Sequence, residues 1–573
     1  MAQGSRRDEL GSDTRVPRLI VILALLVILV TTIAMFLGGF RVGATWDERA
    51  HVHFLQTYFD TGWNVGLGWL VDGELDPFTG KWPYFVYGPV TSLLAHGAAV
   101  IAGQEAWGDS SFTAGAYAAR HVAIGLIALL GVAAVGGIVR LITRSWSWSV
   151  VGAALLASTP MWMGHGMFNV KDLPVGTGYT LATLGFVAIL RVGYARRPWL
   201  RLLAWLSIVS GLVLAAGTRP AAGLGIALAG IGIAGLSMLV FLLSRRNARW
   251  SRLYSRARIL DSVGPLFASY LVLLAIYPKA FIDPFRLVKE TLLISGRFPV
   301  NDPELTFGVW LSQPPPWFYL PVWFGAQSTL LVLAGCILFA GTWLLVLVQV
   351  FRSRFGDRDL VERALLPAPV VSQALLMATL AVLAQSTIYD AMRQFLFIPP
   401  AAAALAAIGI RAGIRLLKER HILRSIAWSL VGVGLVLPVI DQLRLFPYGY
   451  AYYNELASVR PINGNWATDY WRASGRELVR LIPNGETSCI FVDPETPPRP
   501  CDEDASFAPF WSEQGSEARP GILGPSEYWL VRENGGDVAV PPNCSEHDRI
   551  TRPLRNQTLV IAQVMKCAYP ETP

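Results

Sequence analysis

Eleven long apolar runs constrain this chain more than any other feature, because a stretch approaching twenty apolar residues is matched to the thickness of a bilayer's hydrocarbon core. They cover Leu19 to Phe40, His121 to Val139, Trp148 to Trp162, Val175 to Leu190, Leu203 to Gly217, Ala221 to Leu243, Val263 to Tyr277, Val322 to Phe351, Leu365 to Ile388, Phe395 to Ile410 and Ile426 to Ile440. In lipid each backbone N–H and C=O must pair within its own segment, so runs of this kind predict helices. Composition agrees: 53% of the 573 residues are hydrophobic and only 15% charged, with a mean hydropathy of +0.43. The expected fold class is a polytopic α-helical membrane protein with about eleven transmembrane helices, interfacial helices and a small C-terminal α/β domain outside the membrane. The first run is followed by no small-residue cleavage site, so it is expected to remain as a span.

A twelfth run, Pro89 to Gly103, has about fifteen residues, which suits an interfacial or re-entrant helix better than a span. Charge decides its placement. If it does not cross, Arg140 and Arg144, Arg196 to Arg201, Arg245 to Arg258, Arg352 to Arg363 and Arg411 to Arg424 share one side with Arg6, Arg7, Arg15 and Arg18. Basic loops mark the cytoplasmic face, so the N-terminus is expected inside. Outside then lie loops 41–119, 164–172 and 279–320, Arg219, Tyr389 to Arg393 and the C-terminal tail.

The chain divides at about residue 441. Residues 1–441 form the membrane domain, and 442–573 form a soluble cap with 12 Lys and Arg against 17 Asp and Glu from Arg444 onward. Within the cap, Thr468 to Leu481 reads as a helix ended by Pro483-Asn484-Gly485, and Thr487 to Val492, Glu527 to Val531 and Thr558 to Val564 read as strands. Cys489, Cys501, Cys544 and Cys567 fall in this region, while Cys336 lies in a span. An even set on the outer side predicts two disulfides, paired by proximity as Cys489 with Cys501 and Cys544 with Cys567.

Directly after the first run comes Thr45 to Asp60, in which Trp46, Ala50, Phe54 and Tyr58 recur every fourth residue. That spacing predicts a surface-lying helix with Asp47 and Glu48 in its first turn, where acids suit the helix dipole. Acids at a lipid boundary are costly to bury and often mark a site. The other outer loops add Lys171 and Asp172, Arg219, Lys279, Lys81, Arg120 at the opening of the second run, and Tyr389 with Arg393. Such cations suit a phosphate head group, and such acids suit a base that deprotonates a hydroxyl. Taken singly, each Lys or Arg here also fits ordinary snorkelling. Neither a Gly-rich phosphate loop nor an Asp-x-Asp sugar-nucleotide motif occurs on a soluble domain, and no nucleic-acid partner is expected.

The outer Asp47-Glu48, the Gly88-Pro89 break, Arg120, Pro160 followed by Asp172, and the late Tyr389-Asp390 to Arg393-Gln394-Phe395 occur in a telling order. In that order and sidedness the chain resembles the GT-C-fold glycosyltransferases that use polyprenyl-phosphate sugars. The nearest branch is the protein mannosyltransferase and aminoarabinose transferase-like (glycosyltransferase family 39-like) superfamily. The resemblance covers roughly residues 1 to 440. It implies a polyprenyl-phosphate-linked sugar donor and inverting transfer of a hexose or pentose, outside the membrane, to a hydroxyl on a glycan, lipid or protein. By motif position it implies Asp47 as base. The cysteine-bearing cap is not part of the family's minimal pattern.

On that reading Glu48 and Asp172 orient the acceptor or tune Asp47, and Lys81, Arg120, Lys171, Arg219, Lys279, Arg393 and Tyr389 hold substrate. His51 stands four residues after Asp47 and three after Glu48, and His53 and His165 lie on the same side, so a divalent cation held by these histidines and acids is one reading, but without a His-Glu-x-x-His or Cys pair the expectation is that His51 and His53 hydrogen-bond interfacial groups. Three other classes share parts of the pattern. A transporter or flippase places its acids at mid-membrane and shows a hydropathy repeat that this chain lacks. A lipid-linked oligosaccharide ligase or oligosaccharyltransferase keeps the donor chemistry. A non-catalytic assembly subunit would use the cap for docking.

Overall fold

The structure, a computed structural model, describes residues 15–65, 86–191, 194, 197–244, 256–298, 303–353, 357–481, 489–491, 527–532 and 543–568. Each of the eleven apolar runs is helical. Among the described residues, eight helices are long and apolar enough to cross a membrane: Arg18–Gly39, Ala114–Thr143, Asp172–Leu190, Pro198–Thr218, Arg258–Ile276, Leu330–Arg352, Asp359–Leu383 and His421–Arg444. The other three runs differ for local reasons. The run from Trp148 is cut by Ser158-Thr159-Pro160 into Trp146–Ala157, only 12 residues, and Pro160–His165. Proline is tolerated at a helix start but cannot continue one. Ile398–Leu416 is 19 residues long and carries Arg411 and Arg415. The run from Ala221 opens as a 3₁₀ turn, Pro220–Ala222, and continues as the 22-residue helix Gly223–Ser244. The run Val322 to Phe351 is two helices, Tyr319–Gln327 and Leu330–Arg352. The twelfth run forms the helix Val90–Ile101, whose 12 residues span only about 18 Å.

Leucines and isoleucines stand exposed along Arg18–Gly39, Leu330–Arg352 and His421–Arg444. That apolar band is the surface lipid covers. The helix Asp172–Leu190 is instead buried along its whole length and forms the centre of the bundle. Its closest neighbour is Pro198–Thr218, and the contact depends on glycine: a Cβ on Gly178 would lie 2.6 Å from the Gly211 carbonyl oxygen. Small residues that let backbones meet are the usual adhesive between helices in lipid, where no hydrophobic force drives them together.

The C-terminal region carries a four-stranded sheet in the order Cys489–Phe491, Glu527–Arg532, Gln557–Ala568, Cys544–Leu554; the first pair is parallel and the others antiparallel. The expected strands are present with shifted ends. Cys544–Leu554 escaped the sequence reading because it is an edge strand, charged along its exposed face. A disulfide joins Cys544 to Cys567 across the strand pair; the expected partner of Cys489, Cys501, lies outside the described residues, as does Lys81.

The helix expected over Thr468 to Leu481 is replaced by a tight loop. Only Gly475–Leu478 is α-helical, with a 3₁₀ turn Val479–Leu481 after it. The Asp469 carboxylate accepts the backbone N–H groups of Trp471, Ala473 and Ser474 at 3.2 to 3.4 Å. Such side-chain bonds offer the backbone an alternative to a helical ladder. This loop and the segment before it pack on the bundle rather than standing clear of it: the Asn454 N–H bonds to the Ala326 carbonyl at 2.8 Å and the Gly43 N–H to the Ala473 carbonyl at 2.8 Å.

Candidate functional site

The helix Trp46–Thr61 forms as expected and begins with a capping box: the Glu48 carboxylate accepts the Thr45 backbone N–H at 2.8 Å and its hydroxyl at 2.9 Å. The other Glu48 oxygen meets His121 Nε2 at 2.7 Å. One Glu48 oxygen therefore caps its own helix and the other ties that helix to the bundle, and the carboxylate does not join the acids described next. Asp47, one residue earlier and about 100° round the helix, points into a different group.

There three acids meet three cations. Lys171 Nζ lies 2.7 Å and Arg393 Nη1 3.1 Å from Asp47 Oδ2. Arg219 Nη2 is 2.9 Å from Asp172 Oδ1, and Arg393 Nε 3.7 Å from Asp172 Oδ2. Arg393 Nη2 pairs with Asp390 at 2.7 Å. Arg393 thus touches all three carboxylates. Apart from Asp47, Asp390 and Arg219, the partners are all but inaccessible; Asp47 keeps 27% of its side chain exposed. Although Asp172 is within ion-pair distance of two guanidiniums, neither of its oxygens has an aligned hydrogen bond, and neither do Arg219 Nε and Arg393 Nε. Hydrogen-bonding capacity is left in a place where charge is already paired.

Aromatic rings line the group. Tyr87 lies beneath Lys171 and Arg219, with cation-to-centroid distances of 5.2 and 5.5 Å, and Tyr389 lies 5.2 Å from Arg393. Next to them is a cavity of about 80 Å³ bounded by Tyr87, Arg219, Ser295, Phe298, Tyr389 and Gln394. Asp390 and Ala391 both have left-handed backbone, φ 58° and 59°, a strained state for alanine. Two bonds from elsewhere hold it: Asp390 N–H donates to Glu304 at 3.0 Å and Ala391 N–H to the Tyr319 hydroxyl at 3.1 Å.

The charges tune one another. Burial raises the Asp47 carboxyl, but Lys171 and then Arg393 outweigh it and hold the group well below the ordinary carboxylate range. Asp390 goes the other way: burial pushes it up to about 6 against the pull of Arg393, with Asp47 and Asp172 adding repulsion. Burial and the nearby Lys171 push His51 down to about 3, so its ring is neutral. Tyr87 and Tyr389 are raised by burial to about 12 and act only as hydroxyls.

Six of the residues singled out from sequence, Asp47, Lys171, Asp172, Arg219, Tyr389 and Arg393, are therefore together. Three others are elsewhere. Glu48 is a cap, as above. Arg120 pairs with Glu105, which also holds His96 at 2.7 Å. Lys279 caps the far end of the helix Trp46–Thr61 by donating to the Thr61 carbonyl at 2.5 Å. The histidines proposed for a cation do not converge: His51 packs edge-on to Tyr87 at 5.1 Å, His53 against Phe112 at 4.7 Å, and His165 hydrogen-bonds Tyr470 at 3.0 Å. Among the described residues, no three His, Cys, Asp or Glu side chains are grouped to hold a metal ion, because the helix turns His51 and His53 to different neighbours. Sequence reasoning quoted Asp390 only as part of a motif and gave it no role, although it stands three residues before Arg393, and it missed Tyr87.

No family model matches the chain and no curated protein matches it. Among solved structures it is similar to ArnT from Cupriavidus metallidurans bound to undecaprenyl phosphate, at 14% identity over 94% of this chain and 97% of that one, TM-score 0.44. It is also similar to the archaeal oligosaccharyltransferase AglB from Archaeoglobus fulgidus, in complex with an inhibitory peptide and a dolichol-phosphate, at 12% identity over 76% of this chain and 56% of that one, TM-score 0.43.

Proposed function

We propose that the chain is a membrane glycosyltransferase that moves a sugar from a polyprenyl-phosphate donor to an acceptor hydroxyl on the extracytoplasmic side. The observation that carries this is the buried group of Lys171, Arg219 and Arg393 around Asp47, Asp172 and Asp390. It lies at the ends of the helices Asp172–Leu190 and Pro198–Thr218 rather than at their middles, as a reaction at the membrane surface requires and a mid-membrane transport site does not.

A sugar joined to a lipid phosphate already carries a leaving group, so two tasks remain: stabilising the departing phosphate and accepting the proton of the attacking hydroxyl. Arg219 and Arg393, with donors still unused, and Lys171 are suited to the first task. Asp47 is suited to the second because it alone combines partial exposure with a place against two of these cations. At rest those cations make it a weak base. An incoming phosphate competes for Lys171 and Arg393, weakens their hold on Asp47 and so raises its basicity where it is needed. Asp172, pinned by Arg219, keeps Arg393 in place, and inverting transfer asks for no second carboxylate.

The test is to supply purified protein with a radiolabelled polyprenyl-phosphate sugar and a panel of hydroxyl acceptors. Acceptor-dependent release of polyprenyl phosphate is expected; turnover of nucleotide sugars in its place would reject the reading.

A further inference from the structure

We propose that Trp471 is a positioning residue of this site, closing it over the Lys171 and Arg393 cations that flank Asp47 and keeping water from them. This rests on the function proposed above and adds a residue from the C-terminal region to it. The Trp471 ring centroid lies 4.5 Å from the Arg393 guanidinium and 5.6 Å from the Lys171 ammonium, and the side chain is 2% exposed.

Its position is built from both sides. Beneath it, His165 and Phe168 pack against the indole at 5.9 and 5.6 Å; His165 ends the helix Pro160–His165, and Phe168 lies in the turn that leads from it through Lys171 to the helix Asp172–Leu190. Behind it, the Asp469 carboxylate gathers the N–H groups of Trp471, Ala473 and Ser474 and the hydroxyl of Tyr450, the last at 2.5 Å. Gly43 permits the loop to dock, since a Cβ there would come within 2.7 Å of the Arg476 nitrogen. This holds the loop against the chain at Gly43, four residues before Asp47.

The chemistry explains why an indole suits this place. Three acids already match three cations, so a fourth carboxylate would compete with an incoming phosphate. Water would solvate the cations and weaken their field at the reacting bond. An aromatic face attracts a cation through its quadrupole while occupying none of its N–H donors. Lys171 and Arg393 stay desolvated, in place and able to donate to an anion.

The experiment compares full-length wild type, Trp471→Phe and Trp471→Ala in lipid nanodiscs. Acetylation of Lys171 by acetic anhydride, read by peptide mass spectrometry, measures the cover without reference to activity, and transfer kinetics measure its use. Wild type and Trp471→Phe are expected to protect Lys171, and Trp471→Ala to expose it. Transfer by Trp471→Ala should fall by roughly tenfold to a hundredfold, mainly in kcat, with Trp471→Phe restoring most of it. Protection of Lys171 in Trp471→Ala, or equal losses in the Phe and Ala variants together with equally lowered melting temperatures, would overturn the proposal by showing a packing role alone. If wild type transfers nothing from a polyprenyl-phosphate sugar while the labelling pattern holds, the functional reading fails and the covering role of Trp471 stands.

Discussion

The two ends of the helical bundle use arginine in opposite ways. At the site end Arg219 and Arg393 face carboxylates. At the other end Arg191 donates to the Leu141 carbonyl, Arg411 to the Thr143 carbonyl at 2.7 Å and Arg258 to the Arg191 carbonyl at 2.7 Å. Those carbonyls terminate helices, where unpaired oxygens and the negative dipole end attract cations. Acids there are sparse: Glu362 meets Arg144 at 3.3 Å, and Asp261 meets Arg201 at 2.9 Å. One end therefore carries a basic excess, which under the proposed orientation faces the cytoplasm, and the other a balanced, buried group, to which we assign the proposed chemistry.

The sharpest way to break this comparison is to neutralise one acid at each end. Asp47→Asn keeps shape but removes the proton acceptor, so transfer should fall by roughly 10² to 10⁴ with donor binding retained. Glu362→Gln should leave transfer unchanged. Equal tolerance at both ends, read in a single-turnover assay, would remove the chemistry from the site end.

Orientation gives the next contrast. Val459 is 81% exposed at the site end and Glu419 is exposed at the other. With the basic end inside, Val459→Cys should react with an impermeant maleimide in intact cells and Glu419→Cys only after lysis. The reverse pattern would turn the molecule over and place the site in the cytoplasm.

The smallest expected effect concerns pH. Asp390 keeps its proton up to about 6 when folded, whereas the unfolded chain loses it near about 3.9. Native protein then binds the extra proton, so this group's contribution to stability falls as pH rises through that window. Asp47 has the opposite sign: its contribution is present above the unfolded value and is lost as pH falls below it. In Asp390→Asn the melting temperature should therefore decline less between about pH 4 and about 6 than in wild type. Identical profiles would show that Asp390 is not raised.

Much of the architecture was legible in the chain itself. Apolar length fixes the helices because lipid demands internal backbone pairing, and loop charge sorted their ends: Asp47, Lys171, Asp172, Arg219 and Arg393 were all expected on one face, and that is where they meet. Local spacing also specified the helix Trp46–Thr61 and its two acids. What tertiary structure alone decided was partnership. Asp47 and Glu48 are neighbours in sequence, yet one meets Lys171 and Arg393 and the other Thr45 and His121, because a helix turns consecutive side chains about 100° apart. Arg120 and Lys279 look like Arg219 in sequence, yet they lie outside the group, against Glu105 and the Thr61 carbonyl. Trp471 carried no periodic signal, and a helix pattern even concealed it, since the Asp469 carboxylate takes backbone N–H groups that a helical ladder would otherwise use. Pairing of charges across 346 residues depends on where the packed helices leave their ends, and no local pattern encodes that.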